Sequence, residues 1–248
     1  MQPETWWTRV SFDIIVNVAF ITMRGTDDVA QIIQNTFQPL IGPGQQIHEE
    51  LAPRLLHRFS SEEGYLLYSD VIPLIGRLQG NLNRAGSTRI IVGVITNSDP
   101  RVPSVLNSLG LKVSPARYNH AEQPPVGEKY DVDFTVMSYD VGHEKPDRRI
   151  FAAAEEMLKA SPEAANTDLN MWDKVYVGDD FQKDVEGARN AGWKAVLVSR
   201  EKPSEEQSVL WQDKLKSTDL LGAFEEADGR ALGFNSLADF AQLLLERS

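Results

Sequence analysis

The spacing of apolar residues changes along this chain, and the change predicts two regions. Between residues 26 and 63 apolar positions recur every three or four places: Val29, Ile32, Ile33 and Phe37, then Leu51, Leu55, Leu56 and Phe59. That spacing predicts two amphipathic helices. The first opens at Thr26, ahead of Asp27 and Asp28, which suit a helix N-terminus. A loop over 39–46, with Pro43 and two glycines, separates them. From residue 65 short continuous apolar runs alternate with helical patterns. The runs at 90–95, 134–138, 175–177 and 195–198 have the length and β-branched content of buried parallel strands. Helices are predicted over 71–82 (opened near Asp70), through Val105, Leu106 and Leu109 to a stop at Gly110, over 149–158, over 184–190 and over 236–245. The stretch 199–229 reads as charged and irregular. Strands alternating with helices predict an α/β fold with a doubly wound parallel sheet over 65–248, behind a helical region at 1–64. The apolar run at 10–23 fits a strand as well as a helix; Trp6 and Trp7 read as packing residues among the helices.

Composition narrows the classes. With 42% hydrophobic and 25% charged residues, the chain is ordinary for a globular protein. Its net charge of −11 argues against nucleic acid and anionic membrane surfaces as partners. It has no cysteine, which excludes disulfides, thiolate chemistry and thiolate-bound metals. The run at 10–23 follows Arg9, yet Asp13 and Asn17 interrupt it and no small-residue cleavage site follows, so a secretory signal is not expected and the cytoplasm is the expected compartment.

The candidate chemistry lies where strands end. Thr96 and Asn97 follow the run at 90–95, Lys145 precedes a proline in a turn, and Asp179, Asp180 and Asp184 follow the run at 175–177. In open α/β sheets ligands bind at the carboxyl ends of strands. Converging carboxylates repel unless a cation joins them, and hard oxygen donors suit Mg²⁺. A hydroxyl with backbone N–H groups can hold phosphate oxygens, and an ammonium can offset charge on a transferring phosphoryl group. Singly each residue has a plainer role: a helix cap, a surface lysine, a solvated turn. Their joint order carries the inference.

In that order the chain resembles the haloacid-dehalogenase (HAD)-like hydrolase superfamily. Ile-Ile-Val-Gly-Val-Ile-Thr96-Asn-Ser-Asp resembles its second motif, His-Glu-Lys145-Pro-Asp its third, and Val-Tyr-Val-Gly-Asp179-Asp180-Phe-Gln-Lys-Asp184 its fourth. The resemblance covers about residues 65–245, with a weaker cap-like match before it. It implies a Rossmannoid sheet with a helical cap and a Mg²⁺-dependent phosphatase acting on a small phosphorylated molecule. Thr96 and Lys145 would be catalytic, Thr96, Asn97 and Lys145 would bind phosphate, and Asp179 and Asp184 would bind the metal; the oligomeric state stays open. The family's first motif, an apolar strand ending in Asp-x-Asp, supplies the nucleophile and the acid/base and lies at the sheet's centre. No Asp-x-Asp occurs ahead of Thr96, and Asp13, inside its apolar run with Ile15 two places on, does not meet the pattern. A phosphoacceptor receiver domain would place its acidic pair first, and a nicotinamide site would need Gly-x-Gly-x-x-Gly; neither pattern is present. Two readings remain: a hydrolase that lacks its nucleophile in the chain as given, through truncation or a faulty gene model, and a non-catalytic binding or regulatory relative. In both, the sheet loses its central first strand, and its two inner edges need other partners.

Overall fold

The computed structural model describes residues 26–42, 45–81, 90–125, 127–162, 164, 168–200 and 208–244. Trp6, Trp7, Asp13 and the run at 10–23 lie outside them, and so do the readings made for them. Helix α1, Thr26–Phe37, packs against α2, Leu51–Arg58. Of the stripe predicted for α2, Phe59 stays largely exposed while Ala52 is the buried residue. After Tyr65 the chain enters α3, Val71–Asn81, and then alternates: β1 Gly93–Thr96, α4 Val102–Ser108, β2 Phe134–Met137, α5 Ser138–Val141, α6 Arg148–Ala160 and β3 Val175–Gly178. A wide, π-type helical stretch, Phe181–Glu186, runs into α7, Gly187–Asn190; β4, Lys194–Val198, follows.

Beyond β4 the expectation of an irregular stretch over 199–229 is corrected. Strand β5, Val209–Trp211, helix α8, Leu220–Ala227, and strand β6, Ala231–Phe234, all form before α9, Leu237–Leu243. Both strands are completely buried, so three or four apolar residues suffice where both faces are covered. Asp219 caps α8 by accepting from the N–H groups of Leu221 and Gly222. The run at 90–95 is strand only from Gly93. The helix read from 184 begins three residues earlier, at Phe181.

All strand pairs are parallel. β1 pairs with β2, and β3, β4, β6 and β5 form a second sheet in that order. Among the described residues no backbone ladder joins β1 to β3. Side chains join the two sheets instead, because successive residues of a strand point to opposite faces. Val94, Met137, Val196, Val198 and Leu210 enter one buried cluster with α3, α4, α8 and α9; Ile95, Val136, Tyr176, Ala195, Leu197 and Trp211 enter another with α6. Each cluster draws on both sheets, and helices cover both faces. The architecture is the α/β, doubly wound parallel type.

Candidate functional site

Thr96 ends β1 and is 1% exposed. The next residue, Asn97, turns its side chain onto the Lys145 backbone: its Oδ1 accepts from the Lys145 N–H at 2.6 Å and its Nδ2 donates to the Lys145 carbonyl at 3.1 Å. An asparagine amide matches a peptide group donor to acceptor, so this grip fixes the loop between α5 and α6 against the end of β1. Between β1 and α4, Asp99 takes up the Arg101 charge in a paired contact, Nε to Oδ1 at 2.9 Å and Nη2 to Oδ2 at 2.6 Å. On the other side of Lys145, Asp147 caps α6 through the Arg149 N–H. The Arg149 guanidinium bonded to it holds its carboxyl well below the usual carboxylate range.

Lys145 is the buried cation of this region, its side chain 2% exposed. Its Nζ donates to Asp184 Oδ1 at 2.9 Å and to the Tyr176 hydroxyl at 2.7 Å. Nζ lies 5.2 Å from the centre of the Tyr176 ring, but the short bond to the hydroxyl shows that the ammonium meets the ring's polar tip and not its face. The same hydroxyl donates to the Ile95 carbonyl at 2.9 Å. Asp184 has no exposure at all; its Oδ2 accepts from the N–H groups of Asp179 and Asp180 at 3.1 and 2.9 Å. A carboxylate offers about four acceptor sites, and at least three are taken here. Gly178 makes this closure feasible, since a Cβ there would lie 2.4 Å from Asp184 Oδ2.

The helical stretch after β3 thus folds Asp184 back under the β3 terminus, where it anchors the turn and the ammonium together. Isolated burial of either charge would cost several kcal/mol, on the order given for unpaired buried ions, so each requires the other. Asp180 is occupied as the cap of the following helix, accepting from the Lys183 N–H. Asp179 stands exposed at the carboxyl end of β3. One hydrogen-bonded chain therefore runs from the residue before Thr96, through Tyr176 and Lys145, to Asp184 and the backbone of Asp179. It takes in Lys145, Asp184 and the N–H groups of Asp179 and Asp180, with Asn97 attached through the Lys145 backbone, and it starts one residue short of Thr96. Tyr176 was not among those residues. Its signal was a hydroxyl-bearing side chain between Val175 and Val177 in an otherwise apolar run, which demands a buried partner.

The fit to Mg²⁺ can be tested on the donors. Asp179 is a hard, exposed carboxylate, and Mg²⁺ is commonly held by one or two such groups together with phosphate oxygens and water. Among the described residues no cluster of three or more acidic or histidine side chains is placed to hold an ion. The residues present fit a site that a phosphate group would complete, and not a dedicated protein cage. Neighbouring this edge, at the ends of β4 and β6, a cavity of about 440 Å³ is lined by Tyr68, Ser69, Arg200 and Asn235 among others.

Part of this region matches known proteins. Residues 143–223, which include Lys145, Tyr176, Asp179 and Asp184, match the family model described as HAD-hydrolase-like. An uncharacterized hydrolase of Schizosaccharomyces pombe is 30% identical over 146 residues, 59% of this chain and 53% of that protein. The haloacid dehalogenase-like hydrolase domain-containing protein 3 of Bos taurus is 24% identical over 69% of this chain and 55% of its own length. The glyceraldehyde 3-phosphate phosphatase of Methanothermobacter thermautotrophicus is 34% identical over 93 residues, 38% of this chain and 37% of that enzyme. The chain spans about half the length of the curated relatives it matches, or less.

Proposed function

We propose that this chain, which belongs to the HAD-like superfamily, binds a small phosphorylated molecule at the carboxyl edge of β1 and β3 and, as the 248 residues given, does not turn it over. The observation that carries the reading is the Lys145 ammonium, held out of solvent by Asp184 and Tyr176 at the level where both strands end. A fixed cation at that position offsets phosphate charge without having to reorganise, which is what phosphoryl-transfer sites require. Thr96 and the N–H groups after it would hold phosphate oxygens. Asp179 would hold Mg²⁺, which would supply positive charge to offset that of the phosphate. The phosphatase among the relatives supports a small phosphorylated substrate class.

Turnover is a separate matter. Hydrolysis by this chemistry needs an attacking carboxylate and a general acid/base, and no Asp-x-Asp stands ahead of Thr96. Thr96 is no substitute: a threonine hydroxyl is a weak nucleophile at its free pKa. General acid/base catalysis alone contributes about 10²- to 10⁴-fold, so losing it together with the nucleophile removes measurable activity.

The test has two arms on the purified 248-residue chain. Calorimetric titration with orthophosphate in the presence of Mg²⁺ is expected to show binding that weakens in Asp179→Asn. Hydrolysis of a generic aryl phosphate is expected at background level in both proteins. Absence of orthophosphate binding overturns the binding reading, and turnover that disappears in Asp179→Asn overturns the claim of inactivity.

A further inference from the structure

Tyr176 contributes two separable things to the fold: a ring and a hydroxyl. The ring packs edge-on against Phe151, with centroids 5.3 Å apart and planes at 81°, and a phenylalanine would fill the same space. The hydroxyl is what needs an explanation, because a buried O–H costs free energy unless it is bonded. Its bonding is directionally fixed. An ammonium can only donate, so the hydroxyl accepts from Lys145 Nζ, and its single proton goes to the Ile95 carbonyl. Ile95 immediately precedes Thr96 on β1, whereas Tyr176 lies three residues before Asp179, on β3. No backbone ladder joins these two strands among the described residues. The Tyr176 hydroxyl is thus a point at which the strand of Thr96, the strand of Asp179 and the Lys145 ammonium are tied to one atom.

We propose that Tyr176 is a positioning residue: its hydroxyl aims the Lys145 ammonium and holds it in register with the end of β1. Asp184 balances the charge of Lys145 but approaches from the β3 side alone, through the N–H groups of Asp179 and Asp180. The tyrosine oxygen relates Nζ to β1, since it accepts from the ammonium and donates to the Ile95 carbonyl. The Asn97 grip reaches only the Lys145 backbone, at the other end of a long, flexible side chain. Asp184 neutralises the cation and Tyr176 directs it.

The inference rests on the phosphate-site reading only in its binding arm, so the experiment has a second, independent arm. In the full 248-residue chain labelled with ¹⁵N-lysine, a buried, doubly bonded ammonium gives a side-chain signal slow enough in proton exchange to be observed, assigned here by its loss in Lys145→Arg. Tyr176→Phe is expected to remove or broaden that signal and to weaken orthophosphate affinity about tenfold, the worth of one hydrogen bond to a charged group. Phe151→Leu, which disturbs packing on the same ring but touches neither oxygen nor nitrogen, is expected to lower the melting temperature while leaving both readouts in place. If wild type binds no orthophosphate, the phosphate reading fails while the ammonium signal still decides the role of Tyr176. A Tyr176→Phe protein that keeps the wild-type signal overturns the proposal, and so does a Phe151→Leu protein that loses it to the same degree.

Discussion

Asp184 accepts from an ammonium and from two backbone N–H groups while wholly shielded from water. Replacing it with asparagine takes the carboxylate charge away from the Lys145 ammonium, and breaking a buried pair from one side costs about 3–5 kcal/mol. Removing both charges at once is different. Lys145→Met combined with Asp184→Leu is expected to recover most of that loss, since well-packed apolar residues often replace a buried pair at little or no cost. Urea midpoints measure the stability, and orthophosphate titration is expected to show that the double variant has lost binding. Recovery of both together would mean the pair serves the fold alone. Gly178→Ala acts on the same carboxylate from behind. The added methyl would overlap Asp184, with overpacking worth about 1–3 kcal/mol, and would push the carboxylate off the Asp179 and Asp180 N–H groups. The expected outcome is a lower urea midpoint and weaker orthophosphate binding together; wild-type binding would show that Asp184 does not have to sit where it does.

At the scale of elements, one carboxylate pins three segments. Asp70, just ahead of α3, takes both ends of the Arg200 guanidinium at 2.9 Å and also accepts from the Leu237 N–H at the start of α9. Arg200 in turn lies over the Tyr68 ring, 3.7 Å from its centre. Burial pushes the Asp70 carboxyl up, but Arg200 and the Leu237 N–H outweigh it and hold the group below its ordinary value. A carboxyl depressed on folding stabilises above its unfolded pKa, and that contribution disappears as pH falls through the folded value. Asp70→Asn is therefore expected to be less stable than wild type at neutral pH and to show a shallower loss of stability in acid, read as urea midpoints across the acidic range. Parallel curves for the two proteins would rule the pin out. How far such elements were legible depended on what their sequence advertised. The crossover units around Thr96, Lys145 and Asp179 announced themselves because apolar runs end there in polar turns. Strands β5 and β6 did not, because three or four buried residues carry no period and Gly233 interrupts the second. Helix α8 did carry a signal, Asp219 ahead of Leu220, Leu221, Ala223 and Phe224, but charged neighbours hid it. Tyr176 was readable as strand but not as a hub, since its partners come from residues far apart in sequence.

At the scale of the molecule, the two sheets are held by shared side-chain clusters, one on each face. Apolar burial is worth roughly 25 cal/mol per Å² wherever the area comes from, so clusters fed by both sheets couple their stability. The chain is expected to unfold in one cooperative step, with near-UV and far-UV signals superimposing; two resolved transitions would show that the sheets stand independently. Among the described residues no helix is long and apolar enough to cross a membrane.

The uniformly parallel pairing has a kinetic consequence. A parallel ladder cannot be started by a tight hairpin, so each pair must first close a crossover, and the entropy of that closure rises with its length. The shortest belongs to β3 and β4, where Val175 meets Lys194 across the short helical segment that carries Asp184. Trp193 lies at the mouth of this unit, packed edge-on against Phe151 and donating from Nε1 to Glu155. The β3–helix–β4 unit is therefore expected to nucleate folding, so that substitutions in its strands slow refolding in stopped-flow measurements while those in β1 and β2 mainly hasten unfolding. The segment that carries the polar cluster would then be the first to take shape, before the opposite strand supplies Thr96.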